Sequence, residues 1–225
     1  MKIEITSNDI DYALSPSPWD LANQVLYSLC QSYPNHEADQ VIIAKLLLIG
    51  RTYAAAIERR KNAEETSDDF YEVTVVEKIK TSNIDNWLSS LPNQILDPWQ
   101  ELGAVITVHK RVMDIFSELT GLEKRALASK YLHFHKPNLF FIYDSRAKEA
   151  ISKITPRPNY IKDIPANESD SEYHIFCRRC QYLQDRINEC FDKMLTPRQI
   201  DKILLRITDK IRKEKLEQKR QSDAE

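Results

Sequence analysis

Lys130 and Asp144 are the residues whose types and spacing best suit covalent chemistry in this chain. They stand 14 positions apart in the run ASKYLHFHKPNLFFIYDSRA. A lysine amine attacks an electrophilic carbon, such as C1′ of a nucleotide, when burial or neighbouring cations lower its pKa. Lys124, Arg125 and Lys136 are close enough in sequence to supply those cations. A carboxylate at a helix N-terminus stays ionised. There it steadies an oxocarbenium-like sugar or shuttles a proton. The plainer alternative is a solvated lysine and a routine N-cap aspartate, and spacing alone does not separate the two.

The elements that must position this pair are legible around it. Thr120-x-x-Glu123 has the capping-box pattern and predicts a helix that runs through Leu127, Tyr131 and Phe134. Pro137 disfavours helical geometry in the residue before it, so that helix stops near Lys136. Leu139 to Tyr143 is too apolar for a solvated loop and is expected in the core. Asp144 then caps a helix through Lys153. A preceding helix, Trp99 to about Glu118, carries Leu102, Val105, Ile106, Val112, Ile115 and Phe116 at helical spacing. Its connection to the Lys130 helix is short, which makes a tight helix-turn-helix.

A lysine on one helix and an aspartate at the mouth of the next resembles the helix-hairpin-helix DNA glycosylases. SKYLHFHKPNLFFIYDSRA is similar to the lysine-to-aspartate segment of their bacterial 8-oxoguanine-glycosylase-like branch, and the likeness covers residues 99–155. The resemblance implies a base flipped out of the stack. It makes Lys130 the Schiff-base nucleophile and Asp144 the catalytic aspartate. It implies no metal and no organic cofactor. It implies a modified or damaged base, or a nucleotide, as substrate, in the setting of bacterial antiviral defence. The chain departs from the family at the hairpin, where a glycine-rich loop is reduced to Gly121.

Composition bounds the fold and partners. Only 3 of 225 residues are glycine, where average usage gives roughly 16. Strong helix formers dominate, so the expected class is all-α, a multi-helix bundle with a glycosylase-like module. The expected division is an N-terminal helical subdomain over 1–98, a hairpin module with C-terminal helices over 99–213, and a frayed or disordered tail over 214–225. Four cysteines without an export signal suggest reduced thiols and a cytoplasmic location. The longest apolar run, Val41 to Ile49, contains Lys45 and is too short for a membrane span. Net charge is −2, yet residues 109–162 hold 11 Lys or Arg against 5 Asp or Glu. A basic segment on an acidic protein suggests DNA or a nucleotide as partner. Lys110, Arg111, Lys124, Arg125, His133 and Arg146 are its candidate nucleic-acid-binding residues. A non-catalytic nucleic-acid-binding or scaffold protein is the competing class.

Residues 1–18 read as an extended arm, and Glu37 to about Lys61 as one long helix that is apolar all round in its middle. On that helix Arg51 and Glu58 are two turns apart. Arg51, Tyr53 and Tyr131 are pocket candidates, with an ordering Arg51–Glu58 salt bridge as the alternative. Phe70 to Lys80 mixes strand and helix character. His174, Cys177, Cys180 and Cys190 invite a zinc reading. They occupy the apolar stripe of one helix, however, and the last two lie about 15 Å apart along its axis. Buried thiols acting as small hydrophobes explain them better.

Overall fold

Few glycines and long stretches of helix formers give a chain whose described residues form helices joined by loops, with no β-strand among them. The computed structural model describes residues 4–61, 66–93, 98–158 and 164–222. The helices are α1 Ser7–Leu14, α2 Asp20–Ser32, α3 Asp39–Thr52, α4 Ser67–Asp69, α5 Val76–Lys80, α6 Ile84–Ser90, α7 Pro98–Thr120, α8 Arg125–His135, α9 Ser145–Ile154, α10 Ser171–Phe191 and α11 Pro197–Ser222. A π-helical turn, Phe70–Val75, joins α4 to α5, and a 3-10 turn covers Ala166–Glu168. The mixed pattern at Phe70 to Lys80 is thus helical. Among the described residues no helix is long and apolar enough to cross a membrane.

The chain forms two compact units. One comprises Ser17–Phe140 with Ile161–His174, and is called the central unit; the terminal unit comprises Met1–Pro16, Phe141–Tyr160 and Ile175–Glu225. This division differs from a cut at residue 98, because α7 packs with α5, α6 and α8 inside the central unit. The core of that unit is built on α3, whose Ile42, Leu46 and Ile49 are fully buried. Each such side chain contributes about 1.5–3 kcal/mol.

The expected long helix from Glu37 to Lys61 breaks after Thr52. Ala54 takes a left-handed φ of 51° and the Ala55 amide bonds back to the Gly50 carbonyl at 2.7 Å. A Cβ on Gly50 would stand 3.1 Å from the Ala56 Cα, so glycine is what lets the chain fold back there. Helix α7 ends at Gly121, with φ +66° and its amide on the Ser117 carbonyl at 2.8 Å.

In the terminal unit α9 and α1 both pack on α11. Thr196 and Gln199 form a reciprocal cap at the start of α11, with Pro197 at its first position. The helix continues past Lys213 to Ser222, beyond the expected start of the tail, on residues of high helix propensity. The expected N-terminal arm contains a helix instead. Thr6 and Asp9 cap α1 reciprocally, and Asp9 is fully buried against Arg206 Nε at 2.8 Å and Lys210 Nζ at 2.7 Å. The arm read as extended because these partners lie nearly 200 positions away.

Burial pushes the Asp9 carboxyl up, but Lys210 and Thr6 outweigh it and leave it at about 2. The folded chain keeps Asp9 ionised where the unfolded chain protonates near 3.8. Its contribution is present above that value and lost as pH falls toward 2. Arg206 and Lys210 are each about a third exposed, so screening reduces the effect. Asp9→Asn is expected to cost about 1–2 kcal/mol in urea unfolding at neutral pH. The difference from the parent should close near pH 2.

Candidate functional site

Helix α8 is built from good helix formers, and its residues from Leu127 to Phe134 are all buried. It stops where Pro137 requires, with the Lys136 amide on the Leu132 carbonyl at 2.8 Å. Its start is later than the capping-box reading placed it. Thr120 closes α7, donating its hydroxyl back to the Phe116 carbonyl at 2.7 Å, and Lys124 is the N-cap residue of α8. A helix surrounded by core must satisfy every polar side chain internally.

Lys130 is 3% exposed. Its Nζ donates to the Tyr53 carbonyl at 3.1 Å and lies 5.7 Å from the Tyr53 ring centroid. The Tyr53 hydroxyl donates to Asn23 Oδ1 at 2.6 Å, and its ring meets Phe134 edge-on at 5.4 Å. Lys124 does a parallel job. It donates to the carbonyls of Ala56 at 2.9 Å and Arg59 at 2.5 Å, and burial with the Arg59 charge pushes it down to about 8.

Asp144 caps α9 as expected. Its Oδ1 accepts from the Ala147 amide at 2.9 Å, and Arg146 lies 4.0 Å from its Oδ2. Lys130 belongs to the central unit and Asp144 to the terminal unit. Leu139 to Tyr143 are all buried, and the division between units falls between Phe140 and Phe141.

The other expected nucleic-acid contacts are mostly committed inside the protein. His133 is fully buried, with Nδ1 on the Phe140 carbonyl at 2.8 Å and Nε2 on the Tyr27 hydroxyl at 2.6 Å. Arg125 pairs with Asp170 at 2.8 Å, Glu123 at 3.3 Å and Glu172 at 3.5 Å. Lys110 pairs with Asp114 one turn on, at 2.5 Å. Arg111 is exposed and lies over the Trp87 ring at 5.5 Å, and Arg146 is exposed. The Asp170 and Glu172 partners of Arg125 and the Tyr27 partner of His133 are distant in sequence, which is part of why a basic segment read as a basic face.

The pocket candidates resolve in the same way. Arg51 is exposed and holds Glu58 Oε1 at 2.9 Å across the turn after α3, not along one helix. Tyr71 donates to the other Glu58 oxygen at 2.6 Å. Burial raises the Glu58 carboxyl, but the bonds from Tyr71 and Arg51 leave it below its usual value. Tyr131 is fully buried, so its ring offers no face to a base. Cys177 and Cys180 are buried and Cys190 is exposed. Among the described residues no cluster of three His, Cys, Asp or Glu is placed to hold a metal.

A polar network that sequence reasoning missed lies beside α8. His36 joins Asp85 to Tyr131, through Nδ1 to Asp85 Oδ1 at 2.5 Å and Nε2 to the Tyr131 hydroxyl at 2.5 Å. Lys45 is fully buried close by and donates to the Asn35 carbonyl at 3.1 Å. Burial lowers it to about 8. A lysine inside the apolar run VIIAKLLLIG was the available signal, since a charge there needs an internal partner. His36 carried no such signal.

Burial and the Lys45 charge push His36 down to about 4, and burial pushes His109, stacked on Tyr173 at 3.6 Å, down to about 3. Both stay neutral in the folded chain while the unfolded chain takes up protons below 6.5. Stability is therefore complete above that value and falls as pH drops toward 4. Burial holds His135 neutral in the same way, so urea unfolding at pH 4.5 should show a loss of roughly 2–4 kcal/mol relative to pH 7, with about a third of it removed in His36→Gln. Equal stability of the parent at both values would contradict these assignments. Scans against family models, curated proteins and solved structures find no match to the chain.

Proposed function

We propose that the protein is an N-glycosylase/lyase-type enzyme acting on a modified or damaged DNA base, or on a nucleotide, with Lys130 as nucleophile. The observation that carries this reading is the sheltered amine: Lys130 Nζ is inside the central unit, fixed on the Tyr53 carbonyl and flanked by the Tyr53 ring. Holding a nucleophile in one orientation lowers the entropic part of a barrier. In the step, the Lys130 nitrogen bonds to C1′ while the bond from C1′ to the base nitrogen breaks. The base leaves with that electron pair and takes up a proton. Opening of the sugar ring then gives the iminium. The resemblance assigns Asp144 the negative charge that steadies the cationic sugar. This chemistry requires no metal or organic cofactor.

A second observation favours a non-catalytic scaffold. Lys124 and Lys130 both clamp carbonyls of the segment that follows α3, at residues 53, 56 and 59. Removing either amine takes away a buried hydrogen bond and is expected to cost about 1–3 kcal/mol. Stability thus does not distinguish the readings, but covalent capture does. Borohydride reduction in the presence of an abasic or base-modified oligonucleotide should yield a protein–DNA adduct. The adduct should vanish in Lys130→Ala and persist in folded Lys124→Met. No adduct, or an adduct retained in Lys130→Ala, leaves the scaffold reading standing alone.

A further inference from the structure

A cavity of about 560 Å³ lies in the central unit, walled by residues of α2, α6 and the end of α8. Its wall holds two formal charges of opposite sign, Asp85 and Lys136. Neither is paired with a counter-ion among the described residues. Both Asp85 oxygens accept from His36, Oδ2 from its backbone N–H at 3.0 Å and Oδ1 from its ring Nδ1–H at 2.5 Å. That imidazole is neutral, since burial and the Lys45 charge hold it down to about 4. The Asp85 side chain is 38% exposed, so its carboxylate meets the cavity with no cation on it. Lys136 Nζ donates to the Asn93 side chain at 2.8 Å and the Leu91 carbonyl at 3.3 Å, both uncharged acceptors. An ammonium has three donors, so one remains for a ligand. Lys45 is buried and donates to the Asn35 carbonyl at 3.1 Å instead of to Asp85.

Helix α6 keeps the two charges from meeting each other. Asp85 is in its first turn, and Leu91, whose carbonyl holds Lys136, is its C-cap. These positions are about 9 Å apart along the axis. Side chains lean toward the helix N-terminus, so the Asp85 carboxylate does not close that gap. An extended chain spans about 3.5 Å per residue. A charge-assisted contact adds about 2.8 Å at each end. One amino acid reaches across only with both contacts in line, whereas two residues reach without that alignment. Each charge asks for one partner of opposite sign: a single ammonium needs only one free lone pair of Asp85. Elsewhere the wall is apolar, with the Tyr27 and Phe134 ring centroids 4.8 Å apart and Leu88 also in the lining. An apolar side chain on the ligand has that surface to cover.

We propose that this cavity binds a small zwitterion of dipeptide length, with its ammonium on Asp85 and its carboxylate on Lys136. The site is independent of the chemistry assigned to Lys130.

Isothermal titration of the full chain with glycylphenylalanine, its N-acetyl form and its C-terminal amide tests it. The acetyl form lacks the ammonium and the amide lacks the carboxylate, while both keep the ring. The free dipeptide should bind saturably, and each capped form about tenfold more weakly or not at all. Phenylalanine, one residue shorter, should also bind more weakly. Asp85→Asn should weaken the free dipeptide by about tenfold and bring it level with the acetyl form in that variant. Lys136→Gln should bring it level with the amide in the same way. Capping the ligand needs no change in the protein, so a variant that fails to fold leaves the test intact. The proposal is overturned if the free dipeptide does not saturate, if either capped form or phenylalanine binds as tightly, or if either folded variant binds like the parent.

Discussion

The central unit depends on how it disposes of the main-chain carbonyls released where α3 ends. The chain leaves the helix at Thr52, turns through Ala54 in a left-handed conformation, and folds back so closely that a Cβ on Gly50 would be a tight contact with the Ala56 Cα. The carbonyls of Tyr53, Ala56 and Arg59 lie in that returning segment. A buried carbonyl that loses water and gains no donor is costly. Two lysines of the α8 segment, Lys130 and Lys124, supply the donors. Position 130 therefore requires a long side chain ending in a donor, whatever else it does. Arginine is a poor substitute there, because its planar fork does not present a single compact donor to one carbonyl.

A second constraint follows from the first. Once α8 is enclosed, a hydrogen-bonded neutral side chain costs far less to bury on it than an unpaired charge. The two tyrosine–imidazole pairs show the solution. Tyr27 with His133, and Tyr131 with His36, each set a hydroxyl against Nε2. The opposite ring nitrogen then takes an acceptor, the Phe140 carbonyl in one case and Asp85 in the other. The first chain ends on main chain and only holds the loop after α8. The second ends on a carboxylate that is partly open to a cavity.

Local signals in the sequence were legible and distant ones were not. Asp144 reads as an N-cap because capping is decided within three residues, and α8 stops before Pro137 for an equally local reason. The apolar periodicity of α7 and the apolar stripe of α10 likewise located helices close to those observed. The break in α3 was hidden because alanine gives no warning of a left-handed φ. Thr120 misled through a genuine capping pattern that a left-handed Gly121 overrides. Asp9, Arg125 and His133 were misread because their partners lie 45 to about 200 positions away. The carboxylate of Asp85 was invisible for the same reason, since the residue that aims it is 49 positions earlier.

The clamp and the nucleophile are not exclusive uses of one amine. A neutral amine that holds a carbonyl through one N–H keeps its lone pair for a carbon electrophile, while an ammonium in the same place does not. A catalytic Lys130 must therefore meet its substrate without releasing Tyr53, or release it and let the segment after α3 move. The Tyr53 side chain argues for the first course, because its hydroxyl is tied to Asn23 and its ring is wedged against Phe134. Three separate contacts would have to break together for the second. The substrate atom would then approach the amine from the side away from the carbonyl, with the Tyr53 ring setting the angle of approach. Any catalytic role for this lysine accordingly rests on the turn after α3 staying shut.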